Sequence, residues 1–501
     1  MVIVEYRRGL RRLAGVTGWV LPLLVLACAS RPAEPSTSAT PSNASPPRAP
    51  AASPVEPAPA APAAVRPTEV ALRAHIASVL RGEPNYDEML PELANAVRSQ
   101  PRATEAVARL GGVREMVYKG PGPRPGIDVY EVTTEHGFSE WLIGLAPDGK
   151  IGGLRFRLRQ KPPEKLPTRE ELIAQMKERL DTAVASDEFA GAVSITKDGQ
   201  PLFEAAYGVA DRERKISNEL DTKFRIGSMN KMFTAVSVLQ LVQAQKLSLD
   251  DTVGKVLAHY PNAEVASKVT LEHLLLHTGG TGDIFGPEYE ARRLELNTLE
   301  DYVRLYGQRA PKFEPGSRFE YSNYGFVLLG LVVAQASGKS YYDYVRDNVY
   351  GPAGMKDTDC PAEKQTVANR SRGYMKGPDG KLQVNDATLP PRATSAGGGL
   401  STVGDLQRFA RALLEGRLLS KEYMAILMTG RVTSAGEKRP GFFRMTDEKP
   451  RSFGHGGGAP GMNGDLRIFP DSGHVIAVLS NLDPPAASNV SEFAALRLPA
   501  E

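Results

Sequence analysis

The chain has 501 residues, 41% of them hydrophobic, with 61 Lys and Arg against 58 Asp and Glu for a formal net charge of +3. At roughly 100–200 residues per domain this is material for two to four domains with a sizeable core, and so even a balance excludes the basic footprint of a nucleic-acid-binding protein. The small excess sits at the start, in Arg7, Arg8, Arg11 and Arg12.

Residues 1–27 read as an export signal. The basic start is followed by an apolar run over residues 13–27, broken only by Gly15, Thr17, Gly18 and Pro22 and too short to span a bilayer comfortably. Its end, Val25-Leu26-Ala27-Cys28, resembles the lipobox of bacterial lipoproteins, departing from it at Leu26. That resemblance implies lipidation of Cys28 and a protein exported and anchored to a bacterial membrane, in the periplasm or at the cell surface. An ordinary signal cut near Ala29 or Ser30 has the same layout and is the alternative. Cys28 and Cys360 are the only cysteines, so there is no disulfide framework and Cys360 is expected to be a packed or partly exposed structural residue.

Residues 28–67 form a tether, with 11 prolines between positions 29 and 68 and hardly any large apolar residue. Such a composition cannot bury enough surface to offset its ordering entropy. As a polyproline-like spacer it would reach on the order of 100 Å at ~3.1 Å per residue.

Residues 68–160 are expected to form a small α+β domain. Val70, Leu72, Ile76, Val79 and Leu80 recur at helical spacing, and Leu93, Ala96 and Val97 suggest a second helix. β-rich runs follow at 113–118, 127–133, 141–146 and 151–158, with Asp148-Gly149 supplying a hairpin turn. This order of elements resembles a cystatin-like or nuclear-transport-factor-like unit, and nothing in it suggests chemistry.

A larger domain is expected over 168–501. It opens on an amphipathic helix from Thr168 to about Ala183, then two strands at 191–197 and 201–209 around Asp198-Gly199. A long helical middle returns to strands at 452–457, 465–469 and 474–479. Strands at both ends flanking helices predict one antiparallel sheet assembled from the two ends of the chain.

Chemistry concentrates in this domain. Ser228-Met229-Asn230-Lys231 opens a run, 232–247, that is free of Gly and Pro and rich in helix formers. At a helix start, residues i and i+3 share a face, so the Lys231 amine can reach the Ser228 hydroxyl. The helix dipole there disfavours the ammonium. Bringing a lysine from its ordinary ~10.4 to near neutrality takes ~4 kcal/mol, which demands a buried, preorganised site. A second Ser-x-x-Lys, Ser194 to Lys197, lies in a predicted strand, where the two side chains point to opposite faces. Tyr321-Ser322-Asn323 stands at a loop-to-helix junction, before an apolar helix over 326–336. Tyr260-Pro261-Asn262 repeats that spacing in a turn with nothing to complete it. Gly454-His455-Gly456-Gly457-Gly458 is a glycine-rich edge that a substrate backbone could approach closely. His273 and His277 are four apart, but no third ligand lies in reach, so no metal is expected.

In this order the three motifs resemble those of the serine β-lactamase and penicillin-binding superfamily. The match is to its class C-like branch, which also holds D,D-peptidases, D-aminopeptidases and family VIII carboxylesterases. Leu274-Leu275-Leu276-His277-Thr278-Gly279-Gly280, similar to the family's LLxHTSG loop, and residues 396–406 extend the likeness over about 168–482. The resemblance implies an α/β (α+β) β-lactamase-like fold, an antiparallel sheet flanked by helices with a mostly helical subdomain. It implies that Ser228 is acylated, that Lys231 and Tyr321 handle its proton, that Asn323 orients Lys231 and the substrate, and that the N–H groups of Ser228 and Gly458 form an oxyanion hole. His455 and Gly456 would face the substrate, and no cofactor is implied.

One departure bears on substrate. The family's third element is often Lys-Thr-Gly, whereas here it is His455-Gly456-Gly457, so a fixed cation that can grip a β-lactam carboxylate is replaced by an imidazole. The expectation is therefore an exported serine hydrolase acting through an acyl-enzyme on an ester or a D-amino-acid amide, small or peptidoglycan-derived. A β-lactamase is the runner-up, and a non-catalytic peptidoglycan-binding lipoprotein is an alternative of a different class.

Overall fold

The computed structural model describes residues 2–4, 65–122, 126–377, 379–385, 387–429, short stretches within 431–445, and 451–499. Cys28, nearly all of the tether and nearly all of the expected export signal lie outside the described residues. The chain divides into two compact units, Met1–Arg159 and Gln160–Glu501.

In the first unit, α1 (Pro67–Leu80), α2 (Pro91–Arg98) and α3 (Pro101–Ala108) each begin on a proline. Its fixed φ suits the first helical position, where no N–H is needed. α3 was not foreseen, because Val107 is its only large apolar residue and no helical period can be read. An antiparallel meander follows through strands Val113–Pro121, Ile127–Thr134, Phe138–Leu145 and Ile151–Arg159, with the short strand Val2–Val4 on the outer side of the last. Tyr130, Val132, Trp141, Ile143 and Phe156 alternate onto one face and pack against Leu72, Ile76, Val79 and Leu93.

The second unit opens on α4 (Arg169–Ala185). Thr168 caps it reciprocally: its hydroxyl accepts from Glu171 N (3.2 Å) while the Glu171 carboxylate accepts from Thr168 N (2.8 Å), an arrangement worth about 1 kcal/mol. Leu172, Met176, Leu180 and Ala183 form its buried stripe. Number the strands of this unit's main sheet β1 (Gly191–Lys197), β2 (Gln200–Tyr207), β3 (Phe453–Ala459), β4 (Met462–Phe469) and β5 (His474–Ser480). The sheet is antiparallel in the order Arg444–Met445, β3, β4, β5, β1, β2, so both ends of the unit contribute. Central β1 and β5 are buried on both faces, which is why Val475-Ile476-Ala477-Val478-Leu479 reads as a continuous apolar run rather than an alternation. α4 and a terminal helix, Ala486–Ala495, cover one face through Val193, Ile195, Ile476 and Val478.

The other face packs on α5 (Asn230–Gln243), whose residues from Asn230 through Leu239 are all buried. A helix buried all round is a central one. It stops at Gln243 instead of continuing to residue 247, because Gln245 takes a left-handed φ of 56° and Lys246 N returns to the Leu241 carbonyl (2.9 Å). Glutamine in place of the usual glycine hides this stop from the sequence. Beside α5 lies α6 (Asn323–Ser337), N-capped by Ser322 and equally enclosed over residues 323–330.

Candidate active site

The site is built where α5 and α6 begin and β3 passes. Strand Phe224–Arg225 pairs with Leu400–Ser401 and runs through Ile226 into a single 3-10 turn, Gly227–Met229, which continues into α5. Ser228 sits half-buried on that turn. Glycines hem it on two sides. Gly398 N donates to the Gly227 carbonyl (3.1 Å). Opposite, a Cβ at Gly457 would collide with the Ile226 carbonyl oxygen, and one at Gly227, itself at φ +54°, would stand 3.1 Å from Gly458 N. The missing side chains let β3 lie against the turn and bring the Gly458 N close to Gly227, next to Ser228 in the chain.

Lys231, one helical turn on, is only 2% exposed because α5 is central. Its Nζ lies 3.2 Å from Ser228 Oγ and donates to Asn323 Oδ1 (2.7 Å) and to the Ala396 carbonyl. Burial brings its pKa down from 10.5 to about 7, against the opposing pull of the Asp283 carboxylate. The three neighbours are not equivalent. An amide oxygen and a carbonyl can only accept, whereas a serine hydroxyl can also donate. When Lys231 loses a proton, its two remaining N–H groups stay on Asn323 and Ala396, and the lone pair turns to Ser228.

Tyr321 and Asn323 arrive from the start of α6. The Tyr321 hydroxyl donates to Ser228 Oγ (3.0 Å). Although the residue is 37% exposed, burial of its hydroxyl in the cleft pushes its pKa up to about 12, so it remains a phenol. The Asn323 amide is held from behind by Asp283, which accepts from Nδ2 with both oxygens (2.9 and 3.2 Å) and from the Asn323 N–H (3.2 Å). That grip fixes the amide oxygen toward Lys231.

His277 and Asp283 also belong to the site, the first read from sequence only as part of a family-like loop and the second not at all. His277 stacks on the Tyr321 ring at 4.4 Å and 27°, and its Nδ1 accepts from Ser322 N (3.1 Å). Burial, then the nearby Lys231 and His455 charges, lower its pKa well below the ordinary value, so it is a neutral support for Tyr321. His273 is engaged elsewhere, its Nδ1 accepting from Thr270 N (3.3 Å). The LLxHTSG-like loop was a signal for His277. Asp283, 40 residues from Asn323, gave none.

Among the remaining candidates, His455 lies close enough for its charge to reach His277. His455 and Gly456 lie on β3 opposite Leu466 and Asp465. His455 Nδ1 donates to the Gly456 carbonyl (2.6 Å), which sets its tautomer. Ser194 hydrogen-bonds Glu204 (3.0 Å) while Lys197 pairs with Asp198 (3.2 Å), so the second Ser-x-x-Lys does not assemble. Asn262 caps a short helix through Val265 N (2.9 Å). Cys360 is buried, which pushes its thiol up to about 12. Cys28 lies outside the described residues.

A serine hydroxyl between a lysine that titrates near neutrality and an unionised tyrosine, with a backbone N–H beside it, is the equipment for acyl transfer. Residues 174–501 match the family model described as Beta-lactamase. Penicillin-binding protein 4 of Amycolatopsis lactamdurans is 31% identical over 332 residues, covering 62% of this chain and 85% of that protein. Penicillin-binding protein 4* of Bacillus subtilis is 27% identical over 321 residues, 60% of this chain and 70% of that protein. Among solved structures, a penicillin binding protein from Bacillus halodurans aligns with a TM-score of 0.57 at 32% identity, covering 62% of this chain and 98% of its own. A D-stereospecific amidohydrolase from a Streptomyces species aligns at 0.53 and 27% identity, over 64% and 97% of the two chains. With its larger unit matched over nearly all its length, the chain belongs to the β-lactamase and penicillin-binding superfamily of serine hydrolases.

Proposed function

We propose that this protein is an exported hydrolase that forms an acyl-enzyme on Ser228 and acts on esters or D-amino-acid amides, small or peptidoglycan-derived. The observation that carries the mechanism is the set of three neighbours around the Lys231 amine, only one of which can donate to it. In acylation, neutral Lys231 takes the Ser228 proton as Oγ attacks the substrate carbonyl carbon. The Ser228 and Gly458 N–H groups meet the developing oxyanion. On collapse the carbonyl–oxygen or carbonyl–nitrogen bond breaks, Tyr321 protonates the leaving atom, and the Lys231 ammonium restores Tyr321. Water then attacks the ester of Ser228, Lys231 again accepts the proton, and Ser228 departs with it.

His455 supports the choice of substrate, since at the place where relatives often carry the lysine of Lys-Thr-Gly it offers no permanent positive charge. The similarity to a D-stereospecific amidohydrolase supports the amide half of the reading. The test compares turnover of a neutral short-chain aryl ester, a D-amino-acid anilide and a chromogenic β-lactam by the parent and by His455→Lys. The parent should prefer the ester or anilide, and the variant should shift the ratio toward the β-lactam by about tenfold for each ~1.4 kcal/mol recovered. A parent that prefers the β-lactam refutes this reading.

A further inference from the structure

The second unit has a further recess that the mechanism does not use. A cavity of about 800 Å³ is lined by five cations, Arg225, Lys364, Arg370, Arg372 and Arg392, and by one carboxylate, Glu363. Two of its residues are close in sequence to the site already described: Arg225 precedes Ser228 by three residues, and Arg392 precedes Ala396, whose carbonyl holds Lys231, by four.

The cations are not matched in the way of a structural ion-pair network. Glu363 is shared, accepting from Arg225 (3.0 Å) and from Arg370. Arg372 turns to Glu213 (2.6 Å). Arg392 donates its Nε to the Cys360 carbonyl (2.9 Å) and lies over the Tyr342 ring at 3.5 Å, with the Asp343 carboxylate in electrostatic reach but not in an ion pair with it among the described contacts. The Arg225 side chain is only 10% exposed, and its buried Nε has no hydrogen-bond partner. A buried donor without an acceptor is costly, by about 1–3 kcal/mol. Surplus guanidinium groups in a recess suit the planar, two-pronged binding of a carboxylate or phosphate. Leu294, 68% exposed, and Pro390 give the recess an apolar rim on which a substrate chain could lie.

We propose that this pocket is an oxyanion subsite that holds a carboxylate or phosphate on the non-reacting part of the substrate, with Arg225, Arg370 and Arg392 as its donors. Its assignment to substrate rests on the hydrolase reading; anion binding does not. The first test therefore uses the full chain carrying Ser228→Ala, titrated calorimetrically at low salt with inorganic phosphate and, separately, with glutarate. The expected result is one saturable site, with affinity falling at least tenfold in Arg370→Gln and in Arg392→Gln, less in Lys364→Gln, whose side chain is exposed, and not at all in Arg304→Gln outside the pocket. The tighter of the two anions tells phosphate from carboxylate. No saturable binding, or binding that survives both arginine substitutions in chains that unfold cooperatively like the parent, overturns the subsite. With Ser228 intact, the kcat/KM ratio of an aryl ester ending in a carboxylate to its neutral homologue should fall about tenfold in Arg370→Gln, through KM. An unchanged ratio overturns the assignment to substrate. Absence of turnover on any ester counts against the hydrolase reading and leaves the binding result standing.

Discussion

Asp283→Asn separates charge from geometry at Lys231, the proposed base. Asparagine keeps an oxygen that can accept from the Asn323 amide, but the negative charge that favours the Lys231 ammonium is gone. The two groups are bridged by that amide through hydrogen bonds of 2.7 and 2.9 Å, which sets the charges roughly 6–7 Å apart. At an effective dielectric near 20, Coulomb's law gives about 2.5 kcal/mol, or about one to two pH units once partial screening is allowed for. The direction follows from which form works. Below its pKa the lysine is an ammonium and cannot take the Ser228 proton, so kcat/KM for a neutral aryl ester should rise with pH through a midpoint near 7 in the parent. In Asp283→Asn the ammonium is less favoured, and the midpoint should move down to about pH 5–6. Stopped-flow or plate assays in constant-ionic-strength buffers from about pH 4.5 to 9 read it directly. A midpoint that stays put or moves up refutes the electrostatic account. A parent profile that climbs only toward the alkaline range of Tyr321 would show that the tyrosine, not Lys231, is the base.

Gly457→Ala should lower stability by about 1–3 kcal/mol and greatly weaken turnover, because its Cβ meets the Ile226 carbonyl. Gly456→Ala, whose Cβ would find its nearest neighbour at 3.4 Å, should stay within about 0.5 kcal/mol in urea unfolding; equal effects would contradict the close approach of β3 to the serine turn. Lys231→Met should abolish turnover yet raise stability at pH 7 by about 1–4 kcal/mol. The gain should shrink as pH rises from about 7 toward 10.5, because in that window the unfolded lysine binds a proton that the folded one does not, so the parent is stabilised with pH. A gain that grows with pH excludes a depressed lysine. Cys28→Ala should end incorporation of an alkynyl fatty acid and release the protein from the membrane fraction, whereas continued labelling would place the anchor elsewhere.

Ser228 and Lys231 could be read from the chain because their relation is local, one turn of a helix whose start the sequence marks. Tyr321 could be read from its place at a loop-to-helix junction, Asn323 only through the family resemblance, and the sheet from strand patterns at both ends of its unit. What escaped is non-local or lacks a side chain to read. Asp283 matters only because folding places it behind Asn323, and the stack of His277 on Tyr321 is likewise a product of packing. Gly457 looked like any glycine of an edge until β3 was seen against the Ile226 carbonyl. The cavity cations come from three stretches, around 225, 364–372 and 392, none of them basic enough locally to stand out. α3 and the end of α5 escaped for want of apolar period and of a capping glycine.

The central claim, that Ser228 is acylated, is tested most directly by intact-mass analysis after exposure to a fluorophosphonate and, in parallel, to a fluorescent penicillin, followed by peptide mapping. The account predicts a single adduct with the fluorophosphonate on the peptide containing Ser228, absent in Ser228→Ala, whose turnover should fall on the order of 10⁴-fold or more. An equal adduct in Ser228→Ala, or a modified peptide elsewhere in the chain, would contradict it.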